Sequence, residues 1–150
     1  MASDVASATS LLLTAADLPP VHEYNAAGAS PFLLTCDHYG RLLPQRLGDL
    51  GLSEDELARH IAWDIGIAGV AERLAERIDA HLVAQRYSRL VIDCNRPPEV
   101  ASSIPRLSDA TVIPGNEALS DEAVAMRRRE IFDPYHRRID AVIDQRLHAR

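Results

Sequence analysis

Leu90-Val91-Ile92-Asp93-Cys94-Asn95-Arg96 is the stretch on which the reading of the fold turns. Three apolar residues followed at once by a carboxylate, an amide and a guanidinium read as a buried strand that ends by presenting polar groups. Phe32-Leu33-Leu34-Thr35-Cys36-Asp37-His38 has the same shape. In an open α/β sheet, ligands bind in the crevice beyond the carboxyl ends of the strands, so these two tips are expected to supply one site.

The chain between them reads as helical. Ser53 with Glu56 three residues later is a reciprocal capping box, and Leu57, Ile61 and Ile65 then fall on one helix face, with His60 and Asp64 in a row beside it. After Gly66 and Gly69, Val70, Leu74, Ile78 and Leu82 resume at four-residue spacing, with Glu72, Arg73, Glu76 and Arg77 opposite, as in an amphipathic helix packed on a sheet. Strand, helical crossover and strand make a βαβ unit with parallel strands, which places Asp37-His38 and Asp93-Asn95-Arg96 at one edge.

On the flanks, residues 1–18 read as an irregular leader rich in Ala, Ser and Thr, closed by Pro19-Pro20. Thr111 to Asn116 read as a short strand or an extended loop ending in a turn. Ser120 with Asp121 and Glu122 opens a helix, and Asp133-Pro134 reads as a second start whose buried face is Tyr135, Ile139, Val142, Ile143 and Leu147. Two secure strands and two weak ones are few for a doubly wound sheet.

Composition bounds the function classes. With 150 residues, 47% hydrophobic and 25% charged, the chain is one domain or part of one. A net charge of −6 argues against a nucleic-acid partner. All sixteen positive side chains are Arg, which GC-rich coding explains as well as chemistry does. Leu11-Leu12-Leu13 is too short to span a bilayer and has no basic lead, so the expectation is a cytoplasmic protein with no membrane partner. Cys36 and Cys94 read as small, half-buried residues near strand ends; a disulfide between them is sterically conceivable but disfavoured in a cytosolic chain. Phosphate loops, nucleophile elbows and H-E-x-x-H motifs are absent from the sequence.

Several side chains carry chemistry. His38, directly after a strand, is placed to bind a metal or to move protons near neutral pH. Asp93, Asn95 and Arg96 suit a pocket for an acidic small molecule, or else a capped loop in which Arg96 pairs locally. His60 and Asp64 point to one metal, to a histidine oriented by a carboxylate, or to an exposed polar row. His136 faces either solvent or the site, and His22, His81 and His148 show no partner pattern.

Thr35-Cys36-Asp37-His38, Leu43-Pro44, Leu47 to Leu52, His60 to Gly66, Tyr87 to Pro97 and Ile113-Pro114-Gly115-Asn116 together resemble the N-formylglutamate amidohydrolase family over most of residues 30–140. The resemblance implies a single α/β domain, a mainly parallel or mixed sheet flanked by helices, with a hydrolase fold like that of the zinc carboxypeptidases. It also implies a zinc-dependent amidohydrolase of amino-acid metabolism, acting on a linear amide. The substrate would be an N-acyl acidic amino acid, with N-formyl-L-glutamate giving formate and glutamate. Asn95 and Arg96 match the pair that grips the substrate carboxylate, and His38 matches the first metal ligand. Arg41 stands where the carboxypeptidase spacing wants a glutamate, so Asp64, His60 and Asp37 are the candidates for the second ligand. A further metal histidine and the glutamate base are expected in a later half of the fold, so the chain looks incomplete at its carboxyl end. The alternative is a non-catalytic carboxylate-binding or interaction protein, or an inactive fragment, without a complete metal site.

Overall fold

Residues 11–148 are described by the structure, a computed structural model. A three-stranded mixed sheet forms its centre, in the order β1 (Val21–Tyr24), β3 (His81–Gln85), β2 (Leu33–Cys36). The middle strand runs antiparallel to β1 and parallel to β2, with Leu33 opposite His81 and Cys36 opposite Ala84. Helix α1 (Glu54–Leu57) and helix α2 (Ile67–Arg77) lie between β2 and β3. After β3 come a two-stranded hairpin, β4 (Leu107–Ser108) and β5 (Thr111–Val112), then α3 (Asp121–Arg127) and α4 (Asp133–His148).

The parallel βαβ unit is present, but its second strand is not the one expected. Leu90 to Ile92 are buried yet belong to no ladder, and His81–Gln85 form the strand instead. The α2 helix stops at Arg77, and Asp79 adopts a left-handed φ of 51°, so Leu82 enters the sheet rather than a last helical turn. All five residues of β3 are buried, which erases the alternation that marks a half-exposed strand.

The face of α2 is corrected too. Ala71 and Ala75 are buried against the sheet, whereas Val70, Leu74 and Ile78 are exposed at 61%, 43% and 38%. Small side chains let the helix axis approach the strands closely, and the larger ones are left outside. The helix expected over Leu57 to Ile65 ends at Leu57, so Ile65 is exposed and His60 and Asp64 do not share a helix row.

The capping box at Ser53 and the N-cap at Ser120 hold. Ser53 Oγ accepts the Glu56 N–H while the Glu56 carboxylate accepts from the Ser53 backbone, and Ser120 Oγ accepts the Ala123 N–H. Asp133-Pro134, however, does not begin a separate helix. A π-helical turn over Arg128–Phe132 joins α3 to α4 without a break. Pro134 has no N–H to give to an α-helical ladder and its ring would press on the Glu130 carbonyl; a wider turn just before it relieves both.

Of the expected irregular leader, residues 1–10 lie outside the described residues. Residues 11–18 are irregular but anchored, since the N–H groups of Leu12 and Leu13 both donate to the Glu130 carboxylate at 2.9 Å and Leu12 is buried. Cys36 and Cys94 are buried free thiols, so the disulfide is absent. No helix among the described residues is long and apolar enough to cross a membrane.

The Leu90–Cys94 segment has to satisfy its backbone without a ladder, as buried peptide groups require. Asn116 Nδ2 donates to the Leu90 carbonyl at 2.8 Å, Arg127 Nη1 to the Val91 carbonyl at 3.0 Å, and the Asp93 N–H to the Ser103 carbonyl at 2.7 Å. Arg127 is itself buried, holds Asn116 Oδ1 at 2.6 Å, and has its pKa pulled down to about 10 by that burial.

Candidate functional site

Strand β2 delivers His38 two residues past its carboxyl end. Gly40 then lets the loop run hard against β3's exit, where a Cβ would collide with the Arg86 carbonyl. Asp64 is tied to the same loop because its N–H donates to the His38 carbonyl at 3.1 Å. Asp93 arrives on the buried 90–94 segment. The imidazole at 38 thus sits between two carboxylates, with Nε2 at 2.7 Å from Asp93 Oδ1 and Nδ1 at 3.4 Å from Asp64 Oδ2.

These two contacts differ in kind. The first is a short charge-assisted hydrogen bond; the second is longer than a hydrogen bond of that type. Two ligand atoms each about 2.1 Å from a tetrahedral zinc lie about 3.4 Å apart, which matches the Nδ1 to Oδ2 separation.

Asp93 is the hub. Its side chain is 4% exposed, and it receives Nη2 of Arg89 at 3.1 Å, Nε of Arg96 at 3.2 Å and the Asn95 N–H at 2.9 Å besides the imidazole. Burial pushes its carboxyl upward, but the His38 and Asn95 hydrogen bonds, with the charges of His38 and Arg89, outweigh that and hold it at about 2. Arg89 also reaches Asp64 Oδ1 at 3.3 Å, so one guanidinium spans both carboxylates.

Asn95 and Arg96 are exposed and line a cavity of about 460 Å³ together with Asp37, Phe132 and His136. Arg96 gives Nη1 to Ser102 Oγ at 3.1 Å and keeps N–H groups without an acceptor among the described residues. His136, at the start of α4, has Nε2 at 3.0 Å from the Cys94 carbonyl.

The other two residues read as metal ligands point elsewhere. His60, 66% exposed in its side chain, faces Asp109 at 3.6 Å on the β4–β5 hairpin. Asp37 accepts a 2.6 Å hydrogen bond from the buried Tyr135 hydroxyl, whose ionisation is strongly suppressed by burial and by that carboxylate. The buried thiols are pushed up to about 11 at Cys36 and about 12 at Cys94 by desolvation, so both stay protonated near neutral pH. Among the described residues no group of three His, Cys, Asp or Glu side chains is gathered as a metal site.

Arg89 and Tyr135 are site residues that the sequence does not single out. Arg89 falls inside the Tyr87 to Pro97 stretch, but nothing in its spacing assigns it a role; Tyr135 fits a helix face and reads as plain core.

Fold and cluster together define a mixed α/β protein with a polar site at the carboxyl end of a parallel strand. The sequence model of the N-formylglutamate amidohydrolase family matches residues 30–150, and the chain belongs to that family. Among solved structures, the crystal structure of gene product Atu2144 from Agrobacterium tumefaciens is similar, with 43% identity, a TM-score of 0.89 and 92% of this chain covered. The match takes in 55% of that chain, so this protein spans little more than half the length of its neighbour. No curated protein matches the chain.

Proposed function

We propose that this chain carries part of the active site of a zinc-assisted amidohydrolase that cleaves the linear amide of an N-acyl acidic amino acid, N-formyl-L-glutamate being the expected substrate. Family membership supports the reaction class. The observation that carries the metal is His38, with one ring nitrogen fixed by Asp93 and the other facing Asp64 at ligand spacing.

In this reading His38 Nδ1 and Asp64 Oδ2 hold the ion, and a third ligand comes from outside the described residues. Zinc bound with an open position supplies a Lewis acid for the amide carbonyl and lowers the pKa of its water. Asp93 accepts the hydrogen bond from His38 Nε2–H and so fixes the tautomer that leaves Nδ1 free to coordinate, a common arrangement of carboxylate behind a ligating histidine. Arg96 and Asn95 receive the substrate carboxylate in the cavity beside the site. Their contribution is positional, holding the amide in reach of the metal edge.

Zinc titration by competition with a chromophoric chelator tests the metal. The expected result is stoichiometric binding that weakens at least about tenfold in His38→Ala and in Asp64→Ala, with no change in His60→Ala. Binding that is indifferent to both changes would overturn the assignment. For the substrate, Arg96→Ala is expected to raise KM for N-formyl-L-glutamate about tenfold or more, the scale of a lost charge-assisted hydrogen bond, as read by formate release.

A second reading keeps the carboxylate pocket without turnover. It is favoured by the lack of a third donor among the described residues. Saturable N-formyl-L-glutamate binding by zinc-loaded protein that releases no formate would select it.

A further inference from the structure

At the opposite end of the sheet, where β2 and β3 begin, a second polar cavity of about 380 Å³ opens between the Ala26–Pro31 loop and helix α4. Three features of its wall belong together. His81, the first residue of β3, is 3% exposed and has Nε2 at 2.7 Å from Glu23 Oε2. Arg138 clamps the same carboxylate with two donors, Nε to Oε1 at 2.9 Å and Nη2 to Oε2 at 2.8 Å. Arg146, two helical turns further along the same face, gives Nη1 to the Ser30 and Phe32 carbonyls at 2.8 and 3.2 Å.

The hydrogen-bond accounts of these groups are unequal. Glu23 is saturated by three donors. Its carboxylate accepts from His81 Nε2, which leaves Nδ1 of that ring without a protein partner among the described residues. Arg138 and Arg146 each keep N–H groups with no acceptor there. Asp79 is not part of the wall and is engaged by Asn25 Nδ2 and the Ala29 N–H at 3.0 Å each, and Asp140 and Asp144 of α4 do not line the cavity either. Two guanidiniums against one carboxylate leave the cavity with an excess positive charge and unused donors.

We infer that this cavity binds a small oxyanion, a phosphate or a carboxylate carried by a metabolite, seated between Arg138 and Arg146 with the His81 ring at its floor. The guanidinium fork matches both kinds of oxyanion, and the volume admits a small ligand. The site is independent of the metal edge, since it lies at the amino ends of the strands whose carboxyl end carries His38.

The test uses the whole protein with two probes, inorganic phosphate and succinate, followed by calorimetry at low ionic strength with chloride as the control anion. Saturable binding of phosphate or succinate at one Arg146-dependent site is expected, and which of them binds there tells a phosphate ligand from a carboxylate one. Arg146→Gln should weaken it at least about tenfold, and this Arg146-dependent binding persists in Arg96→Ala, which removes any carboxylate binding in the other cavity. Because Arg146 also braces Ser30 and Phe32, Gln145→Glu is the companion variant. Gln145 lines the cavity, is exposed and makes no hydrogen bond to the described residues, so a carboxylate there should repel the probe without disturbing the fold. Absence of Arg146-dependent binding by both probes, its survival unchanged in Gln145→Glu, or its loss in Arg96→Ala overturns the inference.

Discussion

The sheet carries two clusters of like composition at its two ends, a histidine, a carboxylate and an arginine each, and they differ in the charged groups around them. In both, an imidazole Nε2 lies 2.7 Å from one oxygen of a carboxylate that an arginine also holds: His38, Asp93 and Arg96 at one end, where the arginine takes the other oxygen, and His81, Glu23 and Arg138 at the other. The carboxylates differ in depth, with Asp93 4% and Glu23 30% exposed in their side chains. The groups around the rings differ more. His38 turns its free nitrogen to a second carboxylate, Asp64, whereas His81 lines a cavity whose other charges are guanidiniums. A histidine–carboxylate pair by itself therefore says little about ligand charge; on the two readings proposed above, the third group sets it.

Substitutions that strike one cluster and spare the other sharpen this contrast. Asp93→Ala should be the most damaging, about 3–5 kcal/mol in urea unfolding, because it strands Arg89 and His38 around an emptied buried position. A loss under about 1 kcal/mol would remove Asp93 from its role as hub. Arg127→Leu should cost about 2–3 kcal/mol in the same assay by orphaning the Val91 and Gly115 carbonyls beneath the His38 cluster, while leaving the inferred oxyanion site at the other end intact.

Glu23→Gln should cost about 1 kcal/mol near neutral pH, and its signature is in the pH profile. The Arg138 hydrogen bonds pull the Glu23 carboxyl below its ordinary value against the opposing effect of burial, with His81 adding to the lowering. The unfolded chain consequently takes up that proton first as pH falls. Glu23's contribution is complete above the ordinary carboxylate value of 4.5 and is lost as pH drops through its lowered folded value. Thermal unfolding between pH 6 and 3 should fall less steeply in the variant than in the parent. Ser53→Ala, remote from both clusters, should cost only about 1 kcal/mol by removing the cap of α1, and should change neither zinc nor anion binding.

Local patterns carried the legible part of the fold. The capping box at Ser53, the N-cap at Ser120, the strand Leu33–Cys36 and, of the two readings open at Thr111, the short strand all follow from residues within a few positions of one another. His81–Gln85 did not, because full burial removes alternation and its Leu82 continues the four-residue spacing of the helix before it. In the same way, Ala71 and Ala75 carry too little hydrophobicity to outbid Val70 and Leu74 for the inner face, although their small size is what the packing uses. At the site, the expected pairing of two strand ends is absent, since residues 90–92 form no strand and β2 pairs with His81–Gln85, yet His38 does meet Asp93 at one edge. Arg89 bridging Asp64 and Asp93, and Tyr135 reaching Asp37 across 98 positions, leave no trace in local sequence.

The π-helical turn at Arg128–Phe132 sets the angular phase of everything downstream of it. An α-helix advances about 100° per residue, so excising a single residue there would swing α4 by about that much. Tyr135 would lose Asp37, and Arg138 would lose Glu23, in one stroke. One extra residue in a loop-free stretch of helix thus acts as a clutch that engages both ends of the sheet at once.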